Sequence, residues 1–157
     1  MSWRESPAGR LTVRADDLYD EGRHDEALDL IEQALRLRPR SVALETRRGR
    51  ELHALGRYAE AEQVVRAALR INDRFVHAWN QLGMQYMDQG YFEKAAFCFQ
   101  QSADIAPNES VLTGLANCQL VFDPAAALEN AERALAIDPT WEEAERVRDS
   151  ARRRLAE

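Results

Sequence analysis

The chain has 157 residues and a formal net charge of −6, with 45% hydrophobic and 31% charged residues. This length suits one domain with a continuous core, and the composition is typical of a helix-rich globular protein. The negative charge argues against general nucleic-acid binding, which needs a basic surface that displaces counterions. No apolar run is long enough for a membrane span or a secretory signal, so we expect a cytoplasmic protein that does not insert into membranes.

Two further features of the composition limit the chemistry. Lys94 is the single lysine among 21 basic residues, a bias that is typical of a GC-rich genome and favours a bacterial source. Cys98 and Cys118 are too few and too isolated for a disulfide framework or a zinc site. We therefore expect reduced thiols and neither a metal nor a cofactor.

A repeat of 34 residues organises the chain from about Arg10 onward, after a stretch over residues 1–8 that predicts a flexible tail with a lone Trp3. Several independent columns share this spacing, which chance rarely produces. The columns are Gly22, Gly56 and Gly90; Ala27, Ala61 and Ala95; Ala34, Ala68 and Ser102; and Leu37, Ile71 and Ile105.

The best-preserved copy runs from Trp79 to Pro107 and predicts two amphipathic helices joined by a turn at Gly90. Glycine supplies a backbone conformation that a side chain would penalise, and the small residue at Ala95 permits a close helix crossing. Gly83 on the first helix predicts a second close approach. Such a helical pair cannot bury its apolar face alone and must stack on its neighbours.

A fourth, shortened copy follows, with helices predicted over 115–122 and 124–137. It lacks the turn glycine, and Asp123–Pro124 is expected to replace it, because Asp favours the N-cap and Pro the first helical position. The segment 140–157 predicts a charged capping helix with one apolar stripe, beginning with a capping box between Thr140 and Glu143.

The signature of the third copy resembles that of the tetratricopeptide repeat family. The matching positions are Trp79, Leu82, Gly83, Tyr86, Ala95, Phe99 and Pro107, with Ser102 in place of the usual alanine. The resemblance implies an all-α, right-handed α-solenoid of antiparallel helix pairs. We expect four repeats, over about 8–41, 42–75, 76–109 and 110–139, followed by the capping helix.

The first two copies depart from the family signature at two columns. Arg14 and Arg48 stand in the leucine column, and Leu11 and Glu45 stand in the aromatic column. Arginine stems can cover apolar surface while their charged ends reach water. We therefore expect looser packing in these two pairs than in the third.

The resemblance also implies a concave groove, lined by first helices, that binds a peptide or a partner protein. The positions that it assigns to the groove are Asp16, Tyr19, Arg47, Arg50, His53, His77, Asn80, Gln81, Met84, Met87 and Asn117. It also assigns Thr12, Thr46, Ser110, Thr113 and Leu120 to the same surface.

Within this set, Arg47 and Arg50 lie three residues apart and share a helical face. Because a guanidinium can donate two parallel hydrogen bonds, they suit acidic or C-terminal groups of a partner. Met84 and Met87 would supply an adaptable apolar patch beside them. The alternative is that these arginines are ordinary solvated positions whose charges answer nearby acids such as Glu51.

No catalytic constellation is present: the chain has no HExxH pattern, phosphate loop, GxSxG elbow or Cys–His signature. Tyr91, Phe92 and Phe97 predict either packing on a neighbouring helix pair, which we favour, or a self-association patch that would give a homodimer.

Two functions remain open from the sequence. One is a non-catalytic adaptor or scaffold that binds a partner in its groove. The other is a chaperone for secreted or unfolded clients, since length, charge and layout resemble the chaperones of bacterial type III secretion systems.

Overall fold

The chain is entirely helical in its computed structural model, which describes residues 2–157. Within that range it forms nine α-helices and no strand. The helices are α1 (Pro7–Asp20), α2 (His24–Leu37), α3 (Val42–Ala54), α4 (Tyr58–Ile71), α5 (Val76–Asp88), α6 (Phe92–Ile105), α7 (Glu109–Gln119), α8 (Pro124–Ile137) and α9 (Glu142–Ala156). None of the helices in the described range is long and apolar enough to cross a membrane.

The helices form two compact units, Met1–Gln81 and Leu82–Glu157, whose boundary lies within α5. In the first unit each helix from α1 to α4 packs on the next one in the chain. In the second unit the same holds from α6 to α9, and α7 also contacts α9. The repeated helix-on-helix packing within each unit confirms the predicted all-α repeat architecture.

Glycine ends the first helix of three pairs, as the 34-residue column predicts. Gly22, Gly56 and Gly90 have φ angles of 74°, 75° and 79°, in the left-handed region that side chains disfavour. After Gly56, the Arg57 N–H donates to the Leu52 carbonyl at 2.8 Å, and the Gly56 N–H donates to the His53 carbonyl at 2.9 Å. This pair of bonds is the Schellman motif, which satisfies carbonyls at a helix end.

Small residues bring the helices of each pair together. The three alanines of the predicted column, Ala27, Ala61 and Ala95, are fully buried, and so is Ala127 in the fourth copy. In the second unit the ring of Phe99 lies between two glycines, since a Cβ at Gly83 or Gly114 would approach it to 3.1–3.2 Å. The close approach expected at Gly83 is confirmed.

The fourth turn forms without glycine, as expected. Asp123 is the N-cap of α8, its carboxylate accepts a hydrogen bond from the Ala126 N–H at 3.1 Å, and Pro124 is the first helical residue. The predicted capping box of the last helix is wrong. The Thr140 hydroxyl donates to the Asp138 carboxylate at 2.7 Å instead. The N-cap of α9 is Trp141, whose side chain makes no capping hydrogen bond.

Residues 2–6 form a short folded segment before α1, while the flexibility predicted for residues 1–8 stays a prediction, and residue 1 lies outside the described residues. Trp3–Glu5 forms a 3₁₀ turn, and α1 begins at Pro7 with Ser6 as its N-cap. Ser6 Oγ donates to the Trp3 carbonyl at 2.6 Å and accepts from the Gly9 N–H at 3.0 Å. A Cβ at Gly9 would collide with the Trp3 carbonyl, so glycine allows this segment to fold back onto α1.

Replacing Gly56 with alanine tests the turn. No atom lies within 4 Å of a Cβ added there, so the cost comes from the positive φ alone. We expect Gly56→Ala to lower the free energy of unfolding by about 1 kcal/mol in urea titrations. Gly56→Asn is the matched control, and it should lose less because asparagine tolerates the left-handed region better. An alanine variant as stable as wild type would contradict this account.

Candidate functional site

A polar network on the first helices of unit 1 contains four of the predicted groove residues. The carboxylate of Asp16 on α1 accepts hydrogen bonds from two arginines of α3. Arg50 Nη2 donates to Asp16 Oδ1 at 2.8 Å, and Arg47 Nε donates to the same oxygen at 3.2 Å. Asp16 and Arg50 are 34 residues apart, so they are equivalent positions of two successive repeats.

The same arginine also neutralises a buried acid. The side chain of Glu51 is fully buried, with no exposed surface. Its Oε1 accepts from Arg50 Nη2 at 2.9 Å, and its Oε2 lies 3.1 Å from Nδ1 of His24 on α2. An isolated carboxylate at such a depth would be very costly, so these two contacts are what make it tolerable.

Aromatic contacts complete the arrangement. The guanidinium carbon of Arg50 lies 3.9 Å from the centre of the Tyr19 ring, a cation–π geometry. The Tyr19 ring in turn meets His24 edge-on at 5.0 Å between centroids. Arg50 is therefore held by three neighbours. We call the set Asp16, Tyr19, His24, Arg47, Arg50 and Glu51 the Arg50 network.

The electrostatics of the network favour its charged forms. Desolvation acts to raise the pKa of Asp16, but hydrogen bonds and charge from Arg47 and Arg50 hold that pKa below its usual value. Burial likewise acts to lower the pKa of Arg50, and hydrogen bonds to Asp16 and Glu51 raise it overall. The network is thus an ion-pair cluster that holds its side chains in place.

Two donors remain unused in the network. Arg47 and Arg50 donate through Nε and Nη2, and neither Nη1 atom has a hydrogen bond within residues 2–157. The two side chains keep 33% and 25% of their surface exposed. They can therefore still donate to a carbonyl or carboxylate brought from outside, although their charge is already balanced by Asp16 and Glu51.

The other predicted residues of unit 1 lie outside this network. The His53 ring is 5.0 Å from the Tyr58 ring, and the exposed His77 is 5.6 Å from the Phe75 ring. Asn80 and Gln81 are partly buried, and Oδ1 of Asn80 is a buried acceptor without a hydrogen bond.

The second unit holds the remaining predicted residues. Met84 is 49% exposed and Met87 is partly buried, while Asn117 donates to Glu143 of α9 at 2.9 Å. Asn117 and Glu143 also line a shallow pocket of about 190 Å³. The expected junction of Arg47 and Arg50 with Met84 and Met87 stays a prediction.

Three threonines expected in the groove are buried instead, and that expectation is wrong. Thr12, Thr46 and Thr113 each donate the hydroxyl to the carbonyl four residues earlier in their own helix, at 2.7–2.8 Å. This local bond satisfies the hydroxyl, so threonine fits a position that packs inward.

The aromatic residues and cysteines of unit 2 differ in exposure. Tyr91 and Phe97 are 51% and 58% exposed, whereas Phe92 is partly buried, so packing covers the first two only in part. Self-association through them stays a prediction. Cys98 and Cys118 are buried, and burial raises the pKa of the Cys118 thiol to about 12, which makes it a poor nucleophile. Residues 2–157 contain no group of three or more His, Cys, Asp or Glu that could hold a metal ion.

The sequence analysis did not assign Glu51 and His24 to the site, although both belong to the Arg50 network. Glu51 figured only as a nearby acid, and His24 had no assigned role. The equivalent positions to Glu51 in later copies are Gln85 and Cys118, which are also buried. That column was the signal that position 51 points inward.

The network predicts unequal roles for its two arginines. Arg50→Ala leaves Glu51 buried with only His24, so we expect a loss of about 3 kcal/mol in the free energy of unfolding. Arg47→Ala leaves Asp16 bonded to Arg50 and should cost less than about 1 kcal/mol. In a Glu51→Gln background the cost of Arg50→Ala should fall to about 1 kcal/mol. Urea titrations of the single and double variants measure these free energies of unfolding. Equal losses of stability for Arg47→Ala and Arg50→Ala would refute the unequal roles.

The lowered pKa of Asp16 predicts a pH dependence. A carboxyl group with a depressed folded pKa stabilises the fold above its unfolded pKa of about 3.9 and loses that contribution as pH falls through the folded value. The stability difference between wild type and Asp16→Asn should therefore be constant from pH 7 to about 5 and shrink below about 4. Urea midpoints of the pair across this range provide the measurement. A difference that grows with acid would contradict the assignment.

Comparison with known proteins agrees with this architecture. Models of the tetratricopeptide repeat match residues 12–75 and 76–109, together more than half of the chain. Among curated proteins, subunit 3 of the anaphase-promoting complex from Schizosaccharomyces pombe is 39% identical over 89 residues, which is 57% of this chain and 13% of that protein.

Two solved structures share the fold. A structure of Naa15/Naa10 bound to HypK-THB superposes with a TM-score of 0.80 at 20% identity, over 93% of this chain and 22% of that one. A tetratricopeptide repeat protein from Parabacteroides merdae gives 0.76 at 18% identity, over 92% of this chain and 58% of that one. The chain thus spans only part of each relative. Repeat spacing, turn glycines and matched models together show that it belongs to the tetratricopeptide repeat family.

Proposed function

We propose that the chain is a non-catalytic adaptor whose first helices bind a segment of a partner protein. The observation that carries this proposal is the pair of unused Nη1 donors on Arg47 and Arg50. Because Asp16 and Glu51 hold both guanidiniums in place, little side-chain freedom is lost when a partner binds. The tetratricopeptide fold is generally a scaffold rather than a catalyst, which supports the same conclusion.

The balanced charge of the network narrows the kind of ligand group. Arg47 and Arg50 already face two carboxylates, Asp16 and Glu51, so a further carboxylate gains less from them than from an uncompensated pair. A backbone carbonyl or an amide oxygen suits the remaining donors better. We therefore propose that the network positions the main chain of an extended segment.

The names of the relatives support protein binding in general. One is a subunit of a multiprotein complex, and another is a protein solved together with its partners. The chaperone for secreted clients remains the second candidate, favoured only by the partial exposure of Met84, Tyr91 and Phe97. A cytoplasmic location, a bacterial source and a homodimer stay predictions.

Arg47→Ala is the variant that tests the adaptor proposal, because removing Arg50 would leave the buried Glu51 with His24 as its remaining partner and destabilise the fold. The tagged chain is used to capture partners from its host, and the affinity of each is then measured by calorimetry. We expect one stoichiometric partner, and we expect Arg47→Ala to raise its Kd by about three- to tenfold.

Arg23→Ala is the matched control, since it removes the same side chain from an exposed ion pair with Glu26 at the α1–α2 turn. Its Kd should equal that of wild type. A partner whose Kd is unchanged by Arg47→Ala would overturn the proposed surface. Capture of many secreted proteins in place of one partner would favour the chaperone.

A further inference from the structure

An exposed aliphatic residue ends the second helix of several repeats. Leu37 at the end of α2 is 55% exposed, Ile71 at the end of α4 is 51% exposed, and Ile137 at the end of α8 is 51% exposed. Ile105 is their equivalent on α6 and is partly buried. The column that helped to identify the repeat therefore does not belong to the buried core. It presents apolar side chains at helix ends instead.

In unit 1 this column is surrounded by arginine. Arg36, Arg38 and Arg40 flank Leu37, and Arg70 and Arg74 flank Ile71; all five are exposed. Their guanidinium groups make no ion pair or hydrogen bond with any of residues 2–157. The arginines of the Arg50 network are neutralised by acids, whereas these five are not.

Helix dipoles alone do not explain the arginines. A basic side chain in the last turn is favourable at any helix C-terminus. However, α6 and α8 have no basic residue in the last turn, and the positions around Ile105 and Ile137 are taken by Asp104 and Asp138. The aliphatic residues at the helix ends thus have basic neighbours in unit 1 and acidic or neutral neighbours in unit 2. The arginines are particular to this end of unit 1.

The chain direction brings the five arginines to one end of the unit. Helices α2, α3 and α4 pack consecutively through short turns, so α2 and α4 both end where α3 begins. Packed helices are about 8–10 Å apart, so the ends of α2 and α4, which both pack on α3, are separated by at most about two such spacings, a distance that a short peptide can span. The nearby acids are Asp73, which is exposed, Glu32 and Glu45, which are 3.7 Å and 3.6 Å from Arg48, and Glu60, which is 2.7 Å from Arg57. We call Arg36, Leu37, Arg38, Arg40, Arg70, Ile71 and Arg74 the basic edge.

A cleft opens next to Ile71, at the position where the second copy departs from the family signature. Glu45 and Arg48 occupy the aromatic and leucine columns that Trp79 and Leu82 hold in the third copy. A cleft of about 320 Å³ lies between α3 and α4. Its apolar lining comes from Val64, Ala67, Ala68 and Ile71, and its polar lining from Glu45, Arg48, Glu60 and Gln63. This volume accommodates one aliphatic or aromatic side chain.

We propose that the basic edge binds an acidic segment of a partner protein, and that an apolar side chain of this segment enters the cleft beside Ile71. Charge complementarity selects the acids, since five unpaired arginines gain most from carboxylates. The exposed Leu37 and Ile71 favour a peptide with apolar residues over a nucleic acid, which would present phosphates and call for stacking aromatic residues. This surface is separate from the Arg50 network, so either proposal can fail without the other.

Fluorescence anisotropy with synthetic peptides tests the proposal. The probe is a fluorescein-labelled peptide of Glu-Glu-Leu triplets, compared with the same peptide carrying Gln for Glu and with oligothymidylate of equal charge. We expect the Glu peptide to bind about tenfold tighter than the Gln peptide. Arg36→Gln with Arg40→Gln, and Arg70→Gln with Arg74→Gln, should each weaken it about fivefold. Ala67→Leu should weaken it by narrowing the cleft while leaving every arginine in place.

The control is Arg146→Gln with Arg153→Gln, which removes equal charge from exposed positions of α9. It should leave the affinity unchanged. Equal weakening by the control and the edge variants would overturn the proposal, because binding would then follow net charge. Tighter binding of oligothymidylate would identify a nucleic-acid surface, and a salt-sensitive dimer formed without peptide would identify a second copy of the chain.

Discussion

The close approach of helices through small side chains is the constraint on which the rest of the structure depends. Ala27, Ala61, Ala95 and Ala127 are fully buried at equivalent positions. Glycines on either side of Phe99 likewise leave room for its aromatic ring. Since helices of 11–15 residues are marginal alone, their stability comes from this packing. The positive-φ glycines keep the turns short enough to maintain it.

That packing has a consequence for polar residues. When the first helices of successive repeats lie side by side, position 51 is enclosed, and a glutamate there needs polar partners. Arg50 of the same helix and His24 of α2 are those partners, and Arg50 also donates to Asp16 one repeat earlier. The Arg50 network is therefore both a stabilising cluster and a rigid platform. Its arginines are oriented by the fold before any partner arrives.

The distribution of arginines separates two surfaces with different ligand preferences. On the first helices, acids of the chain itself balance Arg47 and Arg50, so the remaining donors suit neutral oxygen atoms. At the basic edge, no acid within residues 2–157 pairs with the five arginines, and a partly apolar cleft lies beside them. An adaptor with two such surfaces could hold the main chain of one segment and the acidic side chains of another. Glu45 and Arg48, the residues at which the second copy departs from the family signature, line the cleft of the second surface.

The amino-acid sequence by itself determined the repeat, the helix pairs, the glycine turns and the Asp123–Pro124 turn, because each depends on local backbone preference or on a spacing of 34 residues. It also placed Asp16, Tyr19, Arg47 and Arg50 on a common surface. Only the tertiary structure decided that Glu51 is buried and that His24 contacts it. It also turned the Leu37 and Ile71 column toward solvent. The physical reason is that burial and charge pairing depend on the neighbouring helix, which the spacing along a single chain does not specify.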